Sequence, residues 1–315
     1  GSVIGAGIQP DGSPATTGAL SISTTGALLA RGYNQAAGSL TFSGSSVDLV
    51  ASQTRAADIS ISAAQGDVLT REAFVLTPGT LRIGAATNAG QTLDNSLGQL
   101  AAGQLELSVA NLDNRDARLL QTGAGATRIA TGTLDNSRGE IVANSHALSL
   151  SADTLINVDG RIEHTGSDSL ALTAATLTGT RGSLLGNAEL RIDAPALNLD
   201  SATTRANRIQ IRSQTFSHRA ATLIQGGTGL LDIQAGTTLD NTAGSLLSNG
   251  GTKLQAGDLH NQRGTLQSTG SAGLALAASG TVDNSHDGLI NAAGPASIDA
   301  ARFDNTDGQL TASRS

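Results

Sequence analysis

Six aspartates, Asp94, Asp113, Asp135, Asp240, Asp283 and Asp304, recur along the chain, each between an apolar residue and an asparagine. Stacked carboxylates of this kind suit two chemistries, a calcium ladder or an acid/base pair that cleaves polysaccharide. Glycoside hydrolysis asks for two carboxylates about 5–9 Å apart. Any stacked repeat meets that distance by stacking alone, so the spacing does not discriminate. Calcium-stacked repeats use Gly-Gly-x-Gly-x-Asp at a nine-residue period, which is absent here. The plainer reading is a solvated turn residue beside the asparagine. The five histidines, His146, His164, His218, His260 and His286, are all more than five residues apart, so there is no helical ligand pair. His260 stands where other copies carry the turn aspartate, which points to the surface. There is no cysteine for thiolate chemistry, and no serine sits in a strand-to-helix Gly-x-Ser-x-Gly elbow. These residues give no catalytic group, no metal ligand set and no cofactor site.

A second feature is a run of arginines, Arg181, Arg191, Arg205, Arg208, Arg212 and Arg219, in an otherwise acidic chain. A local positive field can steer an anionic partner. Any partner contact, to an acidic glycan or a cell-surface receptor, is therefore expected at Arg205, Arg208, Arg212 and Arg219. The alternative is a locally drifted repeat with a longer loop around residues 203–207.

The elements that hold these groups follow from composition and period. The chain has 315 residues, 39 of them Gly, with four Phe, one Tyr and no Trp, Met or Cys. That is too few large side chains for a thick globular core. Disorder favours the opposite of its balance of 38% apolar to 14% charged residues. Thin layers of Leu, Ile, Val and Ala fit a stacked repeat. The formal net charge of −7 argues against a nucleic-acid partner. No run of about 18 apolar residues is present to span a membrane. The start lacks the charged and apolar regions of a signal peptide. Gly1-Ser2 reads as a cloning scar on a fragment of something longer.

Leu-Asp-Asn or a relative begins at 93, 112, 134, 155, 239, 259, 282 and 303, and weaker copies begin at 177, 197 and 216, a mean step of 21 residues. Gly follows five residues later, as at Gly98, Gly139, Gly160, Gly182, Gly244, Gly264 and Gly308, and then an apolar residue, from Leu100 and Leu119 through Leu266, Leu289 and Leu310. A second alternating pair, such as Leu105-Glu106-Leu107 or Ile209-Gln210-Ile211, completes each unit. Alternation over four or five residues is strand period. The pattern predicts an all-β, right-handed parallel β-helix of about 14–15 coils of about 21 residues. Residues 1–18 are expected to be ragged and 19–315 to form a single solenoid, with divergent coils at 19–90 and regular ones at 91–315. Asn95, Asn114, Asn136, Asn157, Asn241, Asn261, Asn284 and Asn305 are expected at tight corners, where Asn tolerates a left-handed backbone and its amide pairs with the coils above and below. The Gly is expected to supply a second left-handed corner. The Asn is replaced in three consecutive units, by Gly179, Leu199 and His218.

Leu-Asp-Asn-x-x-Gly-x-Leu followed by Leu-x-Leu, as in Leu93 to Leu107 and Leu134 to Leu150, resembles the haemagglutinin repeats of filamentous haemagglutinin and of contact-dependent growth inhibition effectors. The likeness covers about residues 80–315 well and 1–80 loosely. It implies a large exoprotein on the surface of a Gram-negative bacterium, exported with an outer-membrane two-partner secretion transporter and facing host or target-cell receptors or glycans. This chain is then expected to be a monomeric, non-catalytic shaft or adhesive segment that presents a binding tip or toxin. The alternative is a β-helical polysaccharide lyase or hydrolase, against which the repetition of the same residues from coil to coil argues.

Overall fold

The computed structural model describes residues 2–7, 9, 11, 13, 15, 17–84 and 91–313. Among these there is no helix, and every strand pairing described is parallel. The fold is an all-β solenoid of about 14 turns. It divides into two compact units, Gly1–Leu155 and Ile156–Ser315.

One coil of the second unit shows the plan. The strand Leu231–Asp240 runs along one side to Ala235, bends where the register shifts before Thr238, and continues along a second side to Asp240. Residues 241–244 turn the corner, and Ser245–Ser248 forms the third side. Each segment alternates inward and outward, with Leu231, Ile233, Leu239 and Leu246 almost wholly buried. The alternation that makes these residues strands thus also puts one apolar set in the core. Coil stacks on coil in register: Leu170, Leu190, Ile209 and Leu231 form one column. A single coil has no thickness to bury its own face, so its neighbours supply the core.

The first unit repeats the plan. Leu20, Leu40, Ile59, Leu81 and Leu105 form its corresponding column. Within residues 1–18, Val3–Ala6 forms a strand beside Tyr33–Ala36. Positions 1, 8, 10, 12, 14 and 16, including the first residue of the expected scar, lie outside the described residues.

Two expectations need correction. Leu289 does not enter the core. It pairs with Thr265 and Gln309 on the outward row, and Ile290 takes the inward place. The preceding turn holds one more residue than its neighbours, with His286 and Asp287 both at positive φ, which shifts the strand by one. Leu310 shares the inward row with Ile290, yet in this last described coil it is 42% exposed.

The corner chemistry also differs from expectation. Neither the Asn nor its Gly is left-handed. The left-handed residue is two places after the Asn position, at Leu97, Asp116, Arg138, Asp159, Arg181, Ala243 and Arg263, among others. The Gly is needed for space. A Cβ on Gly98 would stand 2.5 Å from the Thr70 carbonyl oxygen and 2.7 Å from Asn95 Oδ1. The equivalent atoms at Gly139, Gly182, Gly264 and Gly308 would likewise strike the backbone oxygen of an Asn one coil away.

Candidate functional site

The aspartate track is occupied by turn geometry. Asp94 Oδ1 accepts the Ser96 amide at 3.0 Å and its hydroxyl at 2.6 Å. Asp135 does the same with Ser137, Asp240 with Thr242 and Asp304 with Thr306. Asp113 and Asp283 accept the amide two residues on. This is an Asx turn, a side chain standing in for a backbone turn. Burial works to raise the Asp240 carboxyl, but the Thr242 hydroxyl and amide and the Arg219 guanidinium outweigh it and hold the group below the usual carboxylate range. These carboxylates are therefore committed to local bonds. No group of three or more His, Asp or Glu is placed to hold a metal ion among the described residues.

The asparagines point into the molecule. Asn95, Asn114, Asn136, Asn157, Asn241, Asn261 and Asn284 are completely buried. In the first unit Asn95 Nδ2 donates to Asn114 Oδ1 at 2.8 Å, and Asn114 Nδ2 to Asn136 Oδ1 at 2.7 Å. In the second, Asn241 donates to Asn261, Asn261 to Asn284 and Asn284 to Asn305, each at 2.7 Å. Nδ2 of Asn136, Asn157, Asn241, Asn261, Asn284 and Asn305 also reaches the carbonyl that closes its own turn, as Asn157 reaches Gly160 and Asn241 reaches Gly244. Every amide in these rows thus donates in the same direction along the chain.

Such a row leaves the carbonyl of its first member in need of a donor. Thr70, at the corner position of the preceding coil, supplies its hydroxyl to Asn95 Oδ1 at 3.0 Å. His218 does the same in the second unit, with Nδ1 2.8 Å from Asn241 Oδ1. His218 is fully buried and packs edge-on to Phe216, with ring centroids 5.5 Å apart. Burial pulls its pKa down to about 4, against a smaller upward effect from the Asn241 bond. Of the other two interruptions, Leu199 is buried as an apolar plug, and Gly179 keeps backbone bonds alone, its N–H donating to the Asn198 carbonyl and its carbonyl accepting from the Gly182 N–H. The roles of Thr70 and His218 were not foreseen. The signal was a hydroxyl or imidazole one period before an intact Asn.

The four arginines do not form one patch. Arg205 is on a third-side strand, Thr203–Ala206. Arg208 and Arg212 flank the first-side segment of Arg208–Ser217, and Arg219 lies in the turn after it. Arg208 pairs with Glu189 at 3.3 Å, which Arg191 also contacts, and Arg219 pairs with Asp240 at 2.6 Å. Arg205 makes no ion pair among the described residues. Other arginines bridge coils at the left-handed position: both nitrogens of the Arg138 fork reach Asp116, and those of Arg181 reach Asp159.

The recurring buried Asn, the close-packed Gly and the Asx turn define a single repeated corner. A haemagglutinin-repeat profile matches residues 5–68, 51–96, 226–286 and 272–315. The chain belongs to the haemagglutinin-repeat family. The interrupted coils around Gly179, Leu199 and His218 lie outside the stretches that match the haemagglutinin repeat. Toxin CdiA of Yersinia pestis is 46% identical over 167 residues, which are 48% of this chain and 5% of that protein. The tRNA nuclease CdiA-2 of Burkholderia pseudomallei (strain 1026b) is 36% identical over 101 residues, 32% of this chain and 3% of that protein. The chain thus spans a small fraction of either relative. No solved structure matches it at a comparable level of significance.

Proposed function

We propose that this chain is a non-catalytic shaft segment of a large secreted exoprotein on the outer surface of a Gram-negative bacterium. Its work is to hold a binding tip or toxin away from the cell. The observation that carries this reading is that the polar groups of the recurring corner are spent within the solenoid. The aspartates close turns, the asparagines bond one another, and Arg138 and Arg181 meet carboxylates of the neighbouring coil. An enzyme needs one irregular cluster whose groups remain available to a substrate. Membership of the haemagglutinin-repeat family and likeness to short stretches of two CdiA proteins support the same reading. On it, export requires an outer-membrane two-partner secretion transporter, and the receptor or glycan of the target cell is met chiefly outside this segment.

The test is exchange. Within the parent exoprotein, this segment is replaced by an equal number of unrelated haemagglutinin-repeat coils. A spacer predicts that surface display and target-cell binding are retained. Loss of binding with display intact would overturn the reading. So would cleavage of acidic polysaccharides by the isolated chain.

A further inference from the structure

In the second unit, the link from a third-side strand to the next coil varies in length. It is residues 165–168 after His164, 187–188 after Gly186, Asn207 alone after Ala206, and 226–230 after Gln225. Two short links between two longer ones leave a groove at that edge, of about 460 Å³. On the third side Glu163, Leu185 and Arg205 are register partners in one outward row. At the strand spacing, Glu163 and Arg205 stand about 10 Å apart with Leu185 between them. Leu185 is half-buried and presents an apolar floor. Asn187 and Asn207 are exposed at the edge. Asn187 Nδ2 is held by the Gly166 carbonyl at 3.3 Å, which leaves its Oδ1 as an acceptor.

We propose that this groove binds a sugar bearing a single carboxylate, of the uronate type. Arg205, without an ion pair among the described residues, offers a planar fork that matches a carboxylate in two parallel hydrogen bonds. The two Asn side chains exchange hydrogen bonds with ring hydroxyls, and Leu185 takes the C–H face of the ring. Glu163 is paired with Arg161, which leaves Arg205 as the lining charge without an ion pair among the described residues. The groove is thus matched to a singly charged ligand and poorly matched to a dense polyanion. An aliphatic floor in an open groove gives weak binding per site, so the expected dissociation constant is millimolar.

The proposal is independent of the shaft reading: a spacer remains a spacer whether or not it carries a weak sugar site. The experiment titrates the isotopically labelled chain with glucuronate, glucose and inorganic phosphate, following amide shifts by NMR. Expected are saturable shifts for glucuronate, centred on residues 163–165, 185–187 and 205–207, at least fivefold weaker binding of glucose, and no comparable binding of phosphate. Arg205→Gln should abolish the glucuronate response, and Arg212→Gln, on another side, should preserve it. The amide spectrum of each variant reports its fold. No saturation up to about 50 mM, equal binding of phosphate, or equal loss in both variants would overturn the proposal.

Discussion

His218 Nδ1 lies 2.8 Å from Asn241 Oδ1, at the head of a row of buried amides. Asn241 Nδ2 donates to Gly244, Asn261 and Thr265, so its oxygen must face the histidine. His218 is therefore neutral with its proton on Nδ1. Its Nε2 is buried and has no hydrogen-bond partner.

A pH dependence follows from that burial. The folded pKa of about 4 is below the ordinary value of 6.5. The unfolded chain thus takes up the proton first as pH falls. Stability attributable to His218 is complete above about pH 6.5 and is lost progressively toward pH 4, by an amount on the order of 3 kcal/mol. Urea unfolding at pH 7, 5.5 and 4 measures it. His218→Asn, which extends the amide row, should flatten the pH dependence over this interval. An unchanged slope would mean that the imidazole is not held neutral.

The amide rows make a stability prediction. Asn114 accepts from Asn95 and donates to Asn136 and to the Glu140 carbonyl. Asn114→Ala leaves buried partners unpaired and should cost about 1–3 kcal/mol. Glu106→Ala removes only an exposed pair with Arg82 and should cost less than about 1 kcal/mol. Denaturant midpoints of the two variants decide the matter, and equal losses would refute the ladder.

Adjacent residues at one corner should respond in opposite ways. Leu97 is left-handed at φ 59° and 59% exposed, so Leu97→Gly relieves backbone strain and should leave stability unchanged or raise it by up to about 1 kcal/mol. Gly98→Ala drives a methyl into the Thr70 backbone oxygen and Asn95, and should cost roughly 1–3 kcal/mol. Thermal melts of both variants would expose a misplaced corner if their order reversed.

The extra turn residue in the coil that begins at Val282 is testable by truncation. Ile290 is fully buried, and Ile290→Ala should cost about 2–5 kcal/mol. Leu289 faces outward, and Leu289→Ala should cost less than about 1 kcal/mol. The opposite ranking in chemical denaturation would restore the register expected from the five-residue spacing.

The sequence exposed most of this architecture because the core is built from a short alternation repeated many times. Leu20, Leu40, Ile59 and Leu81 were recognisable as one column despite the missing Asn, since strand period does not depend on turn type. The corners were harder to read. An Asn-x-x-Gly spacing suggests two residues of unusual backbone, whereas Leu97, Asp116 and Arg138 take the left-handed place. No side-chain type marks that position, because the packing of the coil imposes it. The dispersal of Arg205, Arg208 and Arg219 was equally invisible. One short link, Asn207, carries the chain from the third side to the first, so neighbours in sequence face different directions.

The links after the third-side strands of the second unit range from Asn207 alone to residues 226–230, while the strands they join stay in register. Heritable length change can therefore be absorbed at a single edge. Slippage or unequal recombination between tandem copies would add or remove material there, and the buried rows on either side would still find their partners. A gene built on this plan can lengthen, shorten or acquire an insertion by ordinary copying errors without passing through an unfoldable intermediate.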